Sequence, residues 1–269
     1  MKIINVHGHV WEDQDPDERV AHYMYDGVVR ICLIGDKKAR IALEKYPKLV
    51  IGLGIVYPGR DKPEIIDRYH GEGFKGAKFI SPSAPYDSDA FFPFYEKVLA
   101  HGMIATFHTG YVSGEVAEDT SNLWMQPMTL DRIVRRFGEL RIIGYHLGNP
   151  WYTDACSLAL SYPNIFWDLS GGTVRATPLS YLRHILKFRT LDEFGPGVWE
   201  HKLFDENVNY GLFRKFTFGT DNPATVYMFD FMRDLMTALN VPQEIQELVW
   251  WRNAARLLGI EDEIAALPG

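Results

Sequence analysis

Two histidines lie one residue apart near the start of the chain, in the stretch INVHGHV, as His7 and His9. The surrounding residues are apolar and predict a β-strand, in which the side chains at positions i and i+2 point to the same side. Two neutral imidazoles on one side of a strand can bind the same divalent ion. The pair therefore predicts the first half of a metal site.

Other side chains capable of chemistry follow later apolar stretches, near the point where each strand would end. They are Lys78 in FKGAKF, His108 after MIATF, His146 after RIIGY, Asp168 and Ser170 in NIFWDLS, and Asp221 after FTFGT. If His108 and Asp221 join the first pair, three histidines and one aspartate surround the metal and leave a position open for water. Mixed nitrogen and oxygen ligands suit Zn²⁺ best, with Mn²⁺, Fe²⁺ and Co²⁺ as other candidates.

Short apolar strands alternate with helical segments along the chain. Residues 37–48 have helical apolar spacing and stop near Pro47, residues 48–59 form an apolar strand, and residues 242–260 predict a C-terminal helix ending at Gly259. About eight strands predict an α/β protein, a single-domain (β/α)8 TIM barrel over residues 1–269. The polar residues would then meet at one face. An open doubly wound sheet is the rival, but no GxGxxG turn follows the first strand.

Composition narrows the classes of partner. The net charge of -7 gives no basic surface for nucleic acid, and the longest apolar run, LVIGLGIVY, is far shorter than the roughly 20 residues that span a bilayer. The two cysteines, Cys32 and Cys156, argue against a disulfide scaffold, and the N-terminus lacks signal-peptide character, so a cytoplasmic protein is expected. We expect a small-molecule substrate. The sequence leaves open whether the protein forms a homodimer. We expect residues 183–204 to shape either the pocket or a dimer contact.

The ordered motifs resemble the amidohydrolase superfamily, in the amidohydrolase-related branch that includes aminocarboxymuconate-semialdehyde decarboxylase. They are VHGHV, GFKGAKF, FHTG, YHLGNPW, YPNIFWDLSG, FGTDNP and RNAARLLG. The resemblance implies that His7, His9 and His108 are metal ligands and that Asp221 is both a ligand and a proton shuttle. It also implies that His146 contacts the substrate or the metal's water.

The sequence departs from this family at two positions. Asn5 stands where many relatives have an aspartate, and we expect it to tune the site from outside the ligand shell rather than abolish metal binding. Asn149 stands in HLGNP where relatives often have a second glycine, and we expect it to reach toward the substrate.

Two reactions are compatible with such a site. In a hydrolase, metal-activated water attacks a small ester, lactone or amide, with Asp221 as general base and acid and His146 polarising the carbonyl. In a lyase, the same site decarboxylates or hydrates a small carboxylated substrate. The residues expected to bind substrate are Lys78, Asn149, Arg60, Arg175 and Ser170. Hydrolysis is preferred because neither arginine is compelling as a carboxylate ligand.

Three other interpretations compete with a mononuclear enzyme site. A carbamylated Lys78 could bridge two metal ions, as elsewhere in the superfamily, although one ion is expected here. A cupin also uses two histidines in this spacing, but its third ligand would be a nearby glutamate, and Glu12 comes too early. The third alternative is a barrel that has lost catalysis and serves only as a binding protein, although such a loss would be expected to remove the metal-ligating residues first.

Overall fold

The computed structural model of the chain describes residues 1–112, 118–187 and 208–268. Most of the segment 183–204 therefore lies outside the described residues. The described residues contain eight strands: β1 (Ile3–His9), β2 (Val28–Gly35), β3 (Val50–Val56), β4 (Gly76–Phe79), β5 (Ile104–Phe107), β6 (Ile142–Gly144), β7 (Ile165–Asp168) and β8 (Phe216–Thr217). They pair in parallel, in sequence order, which confirms the predicted TIM barrel.

Helices surround this sheet. They are α1 (Pro16–Tyr23), α2 (Lys37–Lys45), α3 (Glu64–Gly71), α4 (Phe92–Ala100), α5 (Asp131–Arg136), α6 (Tyr152–Ser161), α7 (Gly172–Arg175), α8 (Leu179–Ile185), α9 (Tyr210–Phe213), α10 (Thr225–Ala238), α11 (Gln243–Glu247), α12 (Asn253–Leu258) and α13 (Glu261–Ala265). Helix α1 begins where the Asp15 side chain accepts the N–H groups of Asp17 and Glu18, with Pro16 in its first turn. Among the described helices, none combines the length and the apolar character needed to cross a bilayer.

The barrel closes between its last and first strands. Strand β8 is only two residues long, and the chain beyond it continues alongside β1. The N–H of Val6 donates to the carbonyl of Phe218 at 2.9 Å, and the N–H of Asp221 donates to the carbonyl of His7 at 2.6 Å. Asp221 is therefore hydrogen-bonded directly to the strand that carries the two histidines.

Glycines in the strands let aromatic side chains of the helices pack directly on the barrel. A Cβ atom at Gly8 of β1 would lie 2.8 Å from the Tyr23 ring of α1, and one at Gly54 of β3 would lie 2.2 Å from the Tyr69 ring of α3. Gly8 therefore faces outward to α1. Because side chains alternate along a strand, His7 and His9 face the barrel interior, as the sequence predicted.

The predicted C-terminal helix is present but not uniform. Helices α11 and α12 are joined by a π-helical stretch, Leu248–Arg252, and Gly259 ends α12 in the left-handed conformation with φ of 70°. Trp250 and Trp251 within the stretch are buried. The extra residue in the π turn changes which side chains face the barrel, which helical spacing alone does not reveal.

Candidate metal centre

A cavity of about 530 Å³ opens at the C-terminal ends of the strands. Its lining consists of His9, Trp11, Lys78, Ile80, His108, Tyr111, Val112, His146, Gly171, Gly172, Thr173, Asp221 and Asn222. These residues come from the ends of β1, β4, β5, β6, β7 and β8 or from the loops that follow. The structure thus brings together the polar residues whose convergence the alternating pattern predicted.

Three of the predicted ligands converge at the floor of the cavity. Nε2 of His7 lies 3.1 Å from Nε2 of His9, and Oδ1 of Asp221 lies 3.2 Å from Nε2 of His9 and 3.6 Å from Nε2 of His7. Ligands about 2.0–2.1 Å from a tetrahedral ion are separated by about 3.3 Å. The spacing of the three atoms therefore fits a shared divalent cation.

The protonation of these groups also fits a cation. Burial lowers the pKa of His7 well below its ordinary value and also lowers the pKa of His9. Burial alone would raise the pKa of Asp221, but its hydrogen bond to His9 and the nearby cationic groups hold that pKa below the ordinary value. Neutral imidazoles and an ionised carboxylate are the states in which these side chains bind metal.

His108 lies on the wall of the same cavity, outside the group of three converging ligands. Its Nε2 is buried and has no hydrogen-bond partner among the described residues. Burial lowers the pKa of His108 well below its ordinary value, which leaves the imidazole neutral. A buried nitrogen lone pair without a partner is costly, and a bound cation would supply that partner.

Asp168 lies behind His7 and contacts three residues of the site. Its Oδ2 lies 2.9 Å from Nδ1 of His7, and its Oδ1 accepts the backbone N–H of His146 at 2.7 Å and the Ser170 hydroxyl at 2.8 Å. Because a carboxylate only accepts hydrogen bonds, Nδ1 of His7 carries the proton, and the lone pair of Nε2 is directed at His9 and Asp221. Asp168 therefore fixes the His7 tautomer that a metal requires.

His146 is held at the cavity wall by the chain that follows β6. Its backbone is left-handed, with φ of 63°, and its Nδ1 lies 3.0 Å from the carbonyl oxygen of Ser170. Since that carbonyl only accepts, Nδ1 carries a proton and Nε2 is the atom left for a substrate. A side chain at Gly171 would meet Nδ1 of His146 at 2.9 Å, so glycine leaves room for this ring.

Lys78 is buried to 1% exposure in the interior of the barrel. Its Nζ lies 3.3 Å from Nε2 of His7 and 3.8 Å from the centre of the Tyr145 ring, which stacks on the His7 ring at 3.6 Å. Burial lowers the pKa of Lys78 to about 7, although the carboxylates of Asp221 and Asp168 act in the opposite direction. Tyr145 thus packs against both groups at once.

The shifted pKa of Lys78 predicts a pH-dependent effect on the stability of the metal-free protein. The pKa is about 7 in the folded chain and near 10.5 when unperturbed, so between these values the unfolded chain binds more protons and the free energy of unfolding rises with pH. Lys78→Met removes this dependence. We expect the free energy of unfolding of Lys78→Met to exceed that of the wild type by the largest amount near pH ~7. This difference should shrink by up to about 3 kcal/mol toward pH ~9.5.

Urea unfolding of both metal-free proteins at the two pH values measures this difference. The comparison cancels the titration of every other group that the two proteins share. If the difference in free energy of unfolding between the two proteins stays constant with pH, Lys78 keeps its ordinary pKa in the folded chain.

Asn5 lies outside the cluster of ligands. Its Oδ1 accepts the backbone N–H of His7 at 3.0 Å, and its Nδ2 donates to Oγ1 of Thr220 at 3.0 Å. The Thr220 hydroxyl in turn donates to the carbonyl of His7 at 3.0 Å. Asn5 therefore joins β1 to the segment before Asp221, and its contact with His7 is through the backbone.

The residues predicted to bind substrate are not all placed at the cavity. Lys78 lines it, whereas Ser170 is buried behind it, with Oγ 2.8 Å from Nδ1 of His7. Arg60 is exposed and donates to the carbonyl of Ser81. Arg175 is exposed, and its guanidinium lies 5.9 Å from the centre of the Tyr227 ring.

Asn149 also lies apart from the cavity lining. It precedes Pro150 in a cis peptide bond, and its carbonyl accepts the N–H of Tyr111 at 2.8 Å. Its backbone thereby holds the loop that presents Tyr111 to the cavity. That its side chain reaches the substrate stays a prediction.

Three residues gain importance from the structure. The sequence marks Asp168 only as one of several side chains capable of chemistry near a strand end, and the structure adds its contacts with His7, His146 and Ser170. Trp11 stacks on His9, with ring centres 4.9 Å apart and planes at 13°. Trp11 follows His9 by two residues in the sequence. Nothing in the sequence distinguishes the third residue, Tyr145, from other buried aromatic residues.

Comparisons with known proteins agree with this architecture. One similar structure is an uncharacterised TIM-barrel protein from Bordetella bronchiseptica, with 14% identity, 97% of this chain and 100% of that chain covered, and a TM-score of 0.67. Another is a probable 2-pyrone-4,6-dicarboxylic acid hydrolase from Acinetobacter baumannii, with citric acid bound, at 15% identity, 96% and 100% coverage and a TM-score of 0.62.

A third is the 5-carboxyvanillate decarboxylase from Novosphingobium aromaticivorans, complexed with manganese and 4-hydroxy-3-methoxy-5-nitrobenzoic acid. It has 14% identity, covers 96% of each chain and has a TM-score of 0.62. At such identities these likenesses show the fold alone. No curated protein sequence matches the chain significantly. The sequence profile of a family described as amidohydrolase, however, matches residues 36–260, and the chain belongs to that family.

Proposed function

We propose that this protein is a metal-dependent hydrolase that cleaves a small ester, lactone or amide. The observation that carries the proposal is the convergence of Nε2 of His7, Nε2 of His9 and Oδ1 of Asp221 within 3.1–3.6 Å of one another. These atoms lie at the floor of a cavity whose wall carries His146 and His108. The arrangement combines a cation site with acid–base groups in one pocket.

His7, His9 and Asp221 would hold one divalent cation, with His108 as a fourth ligand. Two or three imidazoles and one carboxylate favour Zn²⁺, and Mn²⁺ is the second candidate because the similar decarboxylase structure contains manganese. A bound cation of this kind supplies Lewis acidity and a nucleophilic water at neutral pH.

The chain's own residues supply the proton transfers. The Asp221 side chain is 22% exposed and ionised, so it can take a proton from the attacking water and return it to the leaving group. His146 would contact and polarise the carbonyl group of the substrate through Nε2, since Nδ1 is occupied by the Ser170 carbonyl. The carboxylate of Asp168 accepts the backbone N–H of His146 and so holds this residue in place at the cavity wall.

Hydrolysis is preferred over decarboxylation because of the charges around the cavity. Within the described lining, Lys78 is the one side chain of a cationic type, and arginine is absent from that lining. A carboxylated substrate would therefore meet no guanidinium there. A lyase acting on a small carboxylated substrate is the second candidate, because Nζ of Lys78 at the cavity floor could bind one carboxylate.

Metal reconstitution followed by product analysis tests the proposal. We expect the metal-free protein to bind about one equivalent of Zn²⁺ or Mn²⁺ per chain. The loaded protein should then release acid from a panel of small lactones and aryl esters. In isotopically labelled water, the acid product should contain one labelled oxygen atom, whereas the metal-free protein should be inactive.

The same panel includes hydroxylated benzoates, since the similar structures include a decarboxylase. Release of carbon dioxide from these compounds, without hydrolysis of the esters or lactones, would replace the hydrolase proposal with the lyase. Failure to bind either metal, or full activity after metal removal, would contradict both reactions as proposed.

A further inference from the structure

The Tyr23 hydroxyl is hydrogen-bonded to the backbones of two residues of the candidate metal centre, His9 and Asp221. It accepts the backbone N–H of His9 at 2.8 Å and donates to the backbone carbonyl of Asp221 at 2.9 Å. Arg19, one turn earlier on α1, donates to the same hydroxyl oxygen. A phenol has one proton and two lone pairs, so these three partners use its full hydrogen-bonding capacity.

Arg19 also holds His9 directly. Its Nε donates to the carbonyl of His9 at 2.9 Å, and its guanidinium lies 4.8 Å from the centre of the Tyr23 ring. Both backbone groups of His9 are therefore bound by α1, the N–H by Tyr23 and the carbonyl by Arg19.

Asp221 needs such support because its backbone conformation is energetically unfavourable. Its φ is 65°, in the left-handed region that residues other than glycine seldom adopt. The conformation is held from both sides, by its N–H donating to the carbonyl of His7 and by its carbonyl accepting from Tyr23. This conformation places Oδ1 at 3.2 Å from Nε2 of His9.

Helix α1 is itself fixed in place against the barrel. The Tyr23 ring packs on Gly8, where a Cβ atom would approach it to 2.8 Å, and the carbonyl of Tyr23 accepts the Thr225 hydroxyl at 2.6 Å. The hydroxyl thus has little freedom to follow the ligands if they move. A fixed hydroxyl between two ligand-bearing residues sets their separation.

We propose that Tyr23, supported by Arg19, is a positioning residue that holds His9 and Asp221 at the separation required by a shared cation. The inference rests on the proposed metal site and extends it to residues that contact neither the cation nor the cavity. Its consequence is that metal affinity depends on a phenol outside the cavity lining.

The chain offers a matched control for this hydroxyl. Tyr69 of α3 packs on Gly54 of β3 as Tyr23 packs on Gly8, and Arg68 stacks on its ring at 4.5 Å. Its hydroxyl, however, donates to the carbonyl of Ile55 at 2.8 Å instead of to a ligand-bearing residue. Tyr23→Phe and Tyr69→Phe therefore each remove one buried hydroxyl from equivalent packing.

Zn²⁺ affinity, measured by competition with a chromophoric chelator, and urea unfolding of the metal-free proteins test the proposal. Tyr23→Phe should weaken Zn²⁺ binding by roughly 10–100-fold, the range typical when a residue supporting a ligand is removed. Tyr69→Phe should leave the affinity within about twofold of the wild type. It should cost less metal-free stability than Tyr23→Phe, because the Tyr69 hydroxyl makes one hydrogen bond and the Tyr23 hydroxyl makes three. Arg19→Met should weaken binding in the same direction, and it provides the test if Tyr23→Phe does not fold.

Equal Zn²⁺ affinities for the Tyr23→Phe and Tyr69→Phe proteins, with tight binding by the wild type, would overturn this inference alone. A wild-type protein that binds neither Zn²⁺ nor Mn²⁺ would overturn the proposed function and this inference with it. The two failures are distinguished by the wild-type titration, which requires no substrate.

Discussion

Asp221→Asn is expected to lower kcat/KM by about a thousandfold or more, because it removes both a proton carrier and an anionic ligand. The amide has the shape of the carboxylate but cannot take a proton from water. It also loses the negative charge that Oδ1 places 3.2 Å from Nε2 of His9. The measurement is kcat/KM on the best substrate from the panel, together with the metal content of the purified variant.

Asp61→Asn provides the control for this substitution. Asp61 follows β3 at the same end of the barrel, and its Oδ2 accepts the N–H of Tyr57, but it does not line the cavity. Its replacement should change kcat/KM by less than about twofold, as surface substitutions away from a site usually do. An Asp221→Asn protein that retained wild-type metal content and most of its activity would exclude Asp221 as the proton carrier.

The part of the site that could be predicted from sequence depends on strand geometry. Two side chains at i and i+2 on a strand must share a face, so the common orientation of His7 and His9 follows from the sequence alone. The parallel topology then places His108, His146 and Asp221 at the same end of the barrel. None of these inferences requires knowledge of a loop conformation.

The roles of the loop residues could not be predicted in this way, because the local turn decides where a side chain points. Arg60 and Arg175 follow strands β3 and β7, yet Arg60 turns to the carbonyl of Ser81 and Arg175 lies against Tyr227. The left-handed backbone of Asp221 and its bond to Tyr23 depend on contacts 198 positions apart in the chain. Such long-range contacts leave no local signal in the residues concerned.

Asp168→Asn is expected to weaken Zn²⁺ binding by roughly 10–100-fold, although Asp168 lies behind His7 and is not one of the proposed ligands. Its Oδ1 accepts three hydrogen bonds, from the backbone N–H groups of His146 and Ser170 and from the Ser170 hydroxyl. These donors hold an oxygen atom at the Oδ1 position in the variant. The new amide nitrogen must then occupy the Oδ2 position, 2.9 Å from Nδ1 of His7.

An amide nitrogen at that position is a donor, and it would face the N–H of His7. The imidazole relieves this conflict by moving its proton to Nε2, the atom that lies 3.1 Å from Nε2 of His9. A protonated Nε2 cannot bind a cation, so the metal must displace that proton. The variant's affinity should therefore fall even though the ring of His7 stays stacked on Tyr145 at 3.6 Å.

Zn²⁺ competition titration and nitrogen NMR of the His7 imidazole measure the two parts of this prediction separately. Ser170→Ala is the control, because it removes one donor to Oδ1 and leaves the carboxylate, and it should change the affinity by less than about threefold. An Asp168→Asn protein with wild-type affinity and the proton still on Nδ1 would show that the carboxylate does not set the His7 tautomer. If the proton moves to Nε2 and the affinity falls together with it, then a buried carboxylate that contacts no cation determines whether His7 can bind one.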